Sequence, residues 1–278
     1  MELSIDTTVT LANGVEMPVL GFGTFKIRGD EAYTSVREAL DVGYRSIDTA
    51  SLYGNEAEVG RALRDSGIAR GEVFIATKCW NDEQGEQGVL TALERSLGRL
   101  GLDYVDLYLV HWPISRLYAS TWRGMERAFE SGKARAIGVC NFLGSHLDGL
   151  AQVAEIAPMV DQVEHHPYLQ QPALRDRLRR DGIALEAWAP IARGRLLDDP
   201  VLLDIAARHS VTPAQVAIRW VLQNGGIAIP KSVTPSRIRE NADVFSFALS
   251  DTEKAAIDVL DRGEDGRSGT HPDEFARS

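Results

Sequence analysis

The chain has 278 residues, 44% hydrophobic and 25% charged, a soluble globular composition at a length ordinary for one α/β barrel. Forty acidic residues against thirty basic ones give a net charge of -10, and no Lys/Arg cluster offsets it, which argues against a nucleic-acid surface. No apolar run approaches the roughly 18 residues of a membrane span, the N-terminal MELSIDTTVTLANG lacks the basic start and apolar stretch of a secretory signal, and Cys79 and Cys140 fall in no metal or redox spacing; the expectation is a cytoplasmic monomer with no metal site and no nucleic-acid or membrane partner.

Asn13-Gly14, flanked by β-like residues, predicts a hairpin over 8–18. From there, apolar runs of three to six residues alternate with stretches of helical period. The strands predicted are 19–22, 45–47, 73–77, 104–109, 135–139, 160–163, 184–188 and 227–229. The helices between them are 30–42, 55–66, 86–99, 119–131, 145–154, 171–181, 212–223 and 235–242, with two extra helices at 199–208 and 251–260. Pro172 and Pro213 suit first helical turns, Thr212 an N-cap, and Ser250 with Glu253 a capping box. Eight strand–helix units in series predict a (β/α)8 TIM barrel rather than an open sheet, with the hairpin ahead of it and one domain over 1–278. The tail from residue 263, GEDGRSGTHPDEFARS, is polar and is expected to be irregular and placed to fold over the barrel mouth.

In a parallel barrel the strand C-termini share one mouth. Asp48, Lys78, His111, Asn141, Gln162, Glu164 and Trp188 fall at those ends, and Tyr53 follows Asp48 by a short loop. Any one of these alone reads as a local hydrogen-bond or ion-pair partner. An acid, a phenol, an amine and an imidazole at one mouth read differently. A phenol ionises near pH 10. A neighbouring ammonium stabilises the phenolate and lowers that value, while a carboxylate keeps the ammonium paired. Such a set suits delivery of a proton to a developing alkoxide. Phe22, Phe25, Trp80 and Trp112 lie at or near the same mouth and are expected, with Tyr53 and His111, to line a substrate pocket. GFGTFK at 21–26 lacks the third glycine of a Rossmann fingerprint and does not open a helix directly, so that route to a dinucleotide is closed.

The stretches GYRSIDTASLYGNEAEVG, LYLVHWP and IPKSVTPSRIREN resemble those of the aldo-keto reductases, NADP-dependent carbonyl reductases built on a barrel, and the chain with its terminal HPDEF is most similar to the bacterial 2,5-diketo-D-gluconate reductases. The resemblance implies NADPH/NADP as cofactor and a small-molecule carbonyl as substrate. It implies Tyr53 as proton donor, Lys78 and Asp48 as its tuning pair, and His111 as the group orienting the carbonyl. It further implies that Asn141 and Gln162 hold the nicotinamide carboxamide and that Trp188 stacks on the ring. Gly23 and Thr24 would neighbour the ribose, Lys231, Ser232, Val233, Thr234 and Arg237 would grip the 2′-phosphate, and Glu240 and Asn241 would meet the adenine. Cys140 stands where many relatives have Ser, and Ala189 and Ala192 where relatives often place a hydroxyl or Gly. Small polar carbonyls or dicarbonyls, such as 2,5-diketo-D-gluconate or methylglyoxal, are the implied substrates, with Arg267 and His271 of the tail available near the mouth.

Two other readings stand beside this one. Glu164 and Glu186, at strand ends, could serve as the paired carboxylates of a barrel glycosidase. A nucleotide-sensing binding subunit with little turnover would carry the same residues.

Overall fold

The computed structural model describes residues 3–276. Strands β1 (Thr8–Thr10) and β2 (Glu16–Pro18) pair antiparallel, with Thr8 opposite Pro18. Asn13 Oδ1 accepts from Val15 N at 3.2 Å, and Asn13 Nδ2 donates to the Arg135 carbonyl at 2.8 Å. That second bond ties the hairpin to the start of a barrel strand, and Leu11 and Met17 are buried beneath it.

Eight parallel strands follow: β3 (Phe22–Gly23), β4 (Ser46–Asp48), β5 (Phe74–Cys79), β6 (Val105–Val110), β7 (Ala134–Cys140), β8 (Val160–Glu164), β9 (Ala184–Trp188) and β10 (Ile227–Ile229), each paired with its neighbour in chain order. A parallel bridge between Leu20 and Ala228, with Gly21 N donating to Ala228 O at 2.9 Å and Gly23 N to Pro230 O at 3.0 Å, closes the ring. β5 and β6 are buried at every position, because helices cover their outer faces while side chains fill the inside. Gly138 shows how tightly that interior is filled: a Cβ there would stand 2.4 Å from Val160 O.

The helices are α1 (Gly29–Val42), α2 (Glu56–Ser66), α3 (Glu86–Leu100), α4 (Tyr118–Glu130), α5 (Gly144–Ala151), α6 (Pro172–Asp181), α7 (Pro200–His209), α8 (Pro213–Gln223), α9 (Pro235–Ala242), α10 (Asp251–Asp258) and α11 (Pro272–Ala276). The anticipated caps form. Thr212 accepts from Gln215 N at 3.3 Å and Ser250 from Glu253 N at 3.2 Å, and Asp199 caps α7 through Val201 N at 2.9 Å. The two extra helices are α7 and α10. Among the described residues no helix is long and apolar enough to cross a membrane.

The differences from expectation are local. The 19–22 strand shifts to Phe22–Gly23, since residues before it contribute only the single bridge at Leu20. α5 ends at Ala151 rather than 154, and α10 at Asp258 rather than 260, each running out into a turn, with Val259 80% exposed. The tail is more ordered than an irregular segment: a 3-10 turn at Gly263–Gly266 precedes α11.

Candidate active site

Asp48 ends β4, Lys78 is the penultimate residue of β5, and His111 directly follows β6. Tyr53 closes a 3-10 turn at Ser51–Tyr53. Beneath that turn, buried Asn55 accepts from Thr49 Oγ1 at 2.6 Å and donates to Thr24 O at 3.0 Å and Ile27 O at 2.9 Å. These bonds lock the Tyr53 loop to the loop after β3. The Lys78 ammonium, wholly buried, donates to both Asp48 oxygens at 2.7 Å and to Thr49 O at 2.8 Å. It lies 5.1 Å from the centre of the Tyr53 ring. His111 meets that ring edge-on at 5.7 Å, and Trp80 meets His111 at 5.0 Å. The four predicted side chains therefore do converge.

The electrostatics differ from the expected phenol. Burial raises the Tyr53 pKa above its ordinary value, and the Lys78 charge, which opposes this, does not overcome it. Burial, the largest single influence, would depress Lys78, but the charge and hydrogen bonds of Asp48, with Tyr53 and Cys140 beside it, together hold the ammonium above its usual range. Burial, reinforced by Lys78, puts His111 well below the ordinary imidazole value, so the ring is neutral near pH 7.

The mouth opens into a cavity of about 570 Å³. Asp48, Tyr53, His111, Asn141, Gln162, Trp188 and Gly23 line it, as do Phe25, Trp80 and Trp112. Asn141, in the left-handed region at φ 65°, donates to His111 O at 3.0 Å and accepts from Trp188 Nε1 at 2.9 Å. Gln162 Nε2 donates to Asp48 Oδ2 at 2.8 Å and Glu186 Oε2 at 2.7 Å, leaving Oε1 3.6 Å from Cys140 Sγ. Ala189 and Ala192 take φ of 50° and 48°, which explains why glycine suits this loop.

Four cations line the cavity. Lys231 and Arg237 line it as expected, and so do Lys26 and Arg193, which sequence reasoning missed. Arg193 sits 5.7 Å from the Trp188 ring. None of these four has a carboxylate partner among the described residues, whereas basic side chains such as Arg61, Arg99, Arg135 and Arg239 do. Guanidinium and ammonium groups in the lining of one cavity fit the phosphates of a dinucleotide, and Gln162 Oε1, which accepts from the Cys140 thiol at 3.6 Å, has a second lone pair that fits a carboxamide N–H. Ser232, Val233, Thr234, Glu240 and Asn241 lie outside the cavity lining. Ser232 Oγ accepts from Thr234 N at 3.1 Å just before α9, and Glu240 accepts from Thr212 Oγ1 at 2.8 Å. Thr24 is buried and donates to Asp48 O at 2.8 Å, bracing β4 rather than facing the cavity.

Phe22 is not a pocket residue. It lies opposite Ile47 in the β3–β4 ladder, on the face away from Asp48, and packs edge-on against Tyr44 at 5.8 Å. Further walls come from Leu52, from the loop over 189–197 after β9, from Ile229 and from the tail. Glu164 accepts from Ser268 N at 2.7 Å, Ser268 Oγ, Gly269 N at 3.0 Å and His166 Nε2 at 3.1 Å, and Arg195 donates to Gly266 O and Arg267 O at 3.1 Å each. This strap brings Gly269 and Thr270 into the cavity wall. A Cβ on Gly269 would stand 2.5 Å from the Trp188 ring. Arg267 and His271, expected near the mouth, turn instead to Glu264 at 2.7 and 3.5 Å. Among the described residues, no group of three His, Cys, Asp or Glu side chains could hold a metal ion.

Comparison with known proteins places this site in context. The profile of the Aldo/keto reductase family matches residues 19–262. The chain is 52% identical over 276 residues to the glyoxal reductase of Bacillus subtilis (strain 168), covering 99% of each. It is 47% identical over 270 residues to the morphine 6-dehydrogenase of Pseudomonas putida, covering 92% of this chain and 91% of that one. A crystal structure of a Gox0644 mutant in complex with NADPH superposes with a TM-score of 0.92 at 44% identity, covering 96% of this chain and 97% of that one.

Proposed function

This chain belongs to the Aldo/keto reductase family of NADP(H)-dependent oxidoreductases, and from that premise we propose that it reduces small polar aldehydes, ketones and vicinal dicarbonyls, with Tyr53 as the proton donor. The observation that carries the reading is the meeting of Tyr53, Lys78, Asp48 and His111 at one cavity whose lining also holds four cations without a carboxylate partner among the described residues. Lys231 and Arg237, with the hydroxyls of Ser232 and Thr234 and the Val233 backbone, are the set we assign to the 2′-phosphate, and Glu240 and Asn241 to the adenine. Asn141, Gln162 and Trp188 are assigned to the nicotinamide.

When bound, NADPH supplies the hydride that reduces the carbonyl carbon. Charge then gathers on the carbonyl oxygen. Neutral His111 can donate a hydrogen bond to that oxygen, and the Tyr53 hydroxyl delivers its proton there. Alcohols are far weaker acids than phenols, so the transfer is downhill even from a phenol whose pKa is raised. The Lys78 ammonium stabilises the phenolate left behind, and Asp48 keeps that ammonium charged and fixed.

Names alone do not settle substrate size, since glyoxal and morphine are both represented among relatives of similar identity. The cavity supports the small end of the range. About 570 Å³ must admit the nicotinamide end of the cofactor as well as the substrate, and the tail closes one side. The glycosidase reading loses its residues: Glu164 is engaged by the strap and Glu186 is buried, and neither lines the cavity. Two free, buried thiols fit a reducing, cytoplasmic setting. The test is kcat/KM for methylglyoxal and 2,5-diketogluconate against a hydroxysteroid ketone under the same NADPH. The small dicarbonyls should win. A steroid preferred by more than about tenfold, roughly 1.4 kcal/mol of transition-state preference, overturns the substrate assignment, and binding of NADPH without multiple turnover on any carbonyl favours the sensing subunit.

A further inference from the structure

Two buried carboxylates of this barrel meet arginines, whereas Asp161 on β8, also wholly buried, meets no cation among the described residues. Asp106 takes Arg70 at 2.7 Å and Arg135 at 2.8 Å, and Glu56 takes Arg99 at 2.6 Å. Glu186 on β9, like Asp161, meets none. It is wholly buried, its Oε2 accepts only from Gln162 Nε2, and its Oε1 has no hydrogen-bond partner among the described residues. The register explains the contact: Gln162 stands opposite Glu186 in the β8–β9 ladder and opposite Cys140 in the β7–β8 ladder, and it reaches Asp48 across the mouth. One amide nitrogen thus joins the carboxylate that holds Lys78 to a second carboxyl group.

Two consequences follow. An amide between two carboxyl oxygens has one good orientation, with its two N–H groups toward them, because its own oxygen would otherwise face acceptors. Gln162 Oε1 is thereby turned toward Cys140 and the cavity. Charge is the second matter. Ionised Glu186 would set two carboxylates against one ammonium at a buried site where charge is costly, so the neutral acid is favoured. Burial, followed by the charge of Asp48, pushes its pKa up to about 8.

We propose that Glu186 is a positioning residue of the hydride-transfer centre, acting as an undissociated acid that fixes Gln162 for the nicotinamide carboxamide and leaves Lys78 facing a single carboxylate. The inference rests on the roles given above to Gln162 and Tyr53. Ionisation of Glu186 adds negative charge beside Asp48, which holds the Tyr53 proton more firmly and slows its delivery. The ionisable and charged groups facing Glu186 are Asp48 from β4, Lys78 from β5 and Cys140 from β7; Tyr53 lies beyond Lys78 and Glu164 two residues past Gln162 on β8, while β10 opposes Glu186 with Ile227. Tyr53, Lys78 and Cys140 are all held above their ordinary values, and Glu164 is lowered to about 2 by its hydrogen bonds against the opposing effect of burial. None of those four releases its proton near pH 8. Activity should be present below that pH and lost as it rises through it.

The experiment measures initial rates with methylglyoxal and NADPH binding by tryptophan fluorescence, on the full enzyme, from about pH 6 to 9.5. Wild-type kcat should fall about tenfold between pH 7 and 9, as a single essential acid of that pKa requires. Glu186→Gln should lose this fall, whereas Glu186→Leu, which cannot accept from Gln162, should raise the NADPH Kd at every pH, with Glu186→Gln restoring it toward the wild-type value. An alkaline fall of the same size in Glu186→Gln overturns the inference. So does a flat wild-type profile, which needs no variant to fold. A wild-type protein that neither binds nor oxidises NADPH overturns the site reading and this inference together, whereas turnover with a flat profile overturns this inference alone.

Discussion

In the proposed reaction Tyr53 donates a proton that its surroundings hold tightly. Burial raises its pKa, so the phenol is fully protonated at neutral pH, and the Lys78 charge acts by stabilising the phenolate formed in the reaction. Sequence alone identified the neighbours but not the balance, because desolvation depends on how deeply the ring sits. The same limit explains the other misses. Asp48, Lys78 and His111 were legible because each ends a short apolar run. Phe22 was misassigned because a two-residue strand offers no alternation from which to read its facing. Lys26 and Arg193 reach the cavity from left-handed backbone positions, at φ 62° and 54°, which nothing in the sequence announces for those residue types. The cofactor cations yield a residue-scale prediction. Arg237→Ala removes a charge-assisted contact of about 1.5–3 kcal/mol and should weaken NADPH binding by roughly ten- to a hundredfold while changing NADH much less. Titrations of both nucleotides would check it, and an equal loss for the two would remove Arg237 from the 2′-phosphate.

Among the elements, the barrel strands and their helices were legible from periodicity and from residues with defined cap chemistry. Thr212, Pro213, Ser250 and Glu253 mark helix starts because their side chains satisfy backbone N–H groups that the helix cannot. The strap at the C-terminal end was anticipated only as a possible cover. Its anchor is a tertiary contact between Glu164 and residues over a hundred positions later in the chain, which no local pattern encodes. Glu164→Ala deletes the acceptor for Ser268 and Gly269, and Gly269→Ala drives a methyl group into Trp188. Both variants should lower kcat/KM, by between about ten- and a hundredfold if Trp188 or the substrate shifts by an ångström. Both should also speed tryptic cleavage after Arg262 and Arg267. Unchanged kinetics and unchanged cleavage in both variants would show that the strap has no part in shaping the site.

At the scale of the whole molecule, closure of the barrel makes the site. Residues from 23 to 270 in the chain line one cavity because eight parallel strands aim their C-terminal ends at it. The chain as a whole carries a net charge of -10, yet Lys26, Arg193, Lys231 and Arg237 all line the cavity. Fold and floor of the site were both visible in the order of residues, since strand-end positions follow from topology. The cavity's upper walls were not, since they depend on where long loops and the tail settle. The proposed chemistry turns on one hydroxyl group, that of Tyr53. Single-turnover reduction of methylglyoxal by Tyr53→Phe, with NADPH binding measured in parallel, should show a rate lower by about 10²–10⁴-fold and a cofactor affinity close to that of the wild type. A variant that keeps more than about half the wild-type rate would contradict the assignment of Tyr53 as the proton donor.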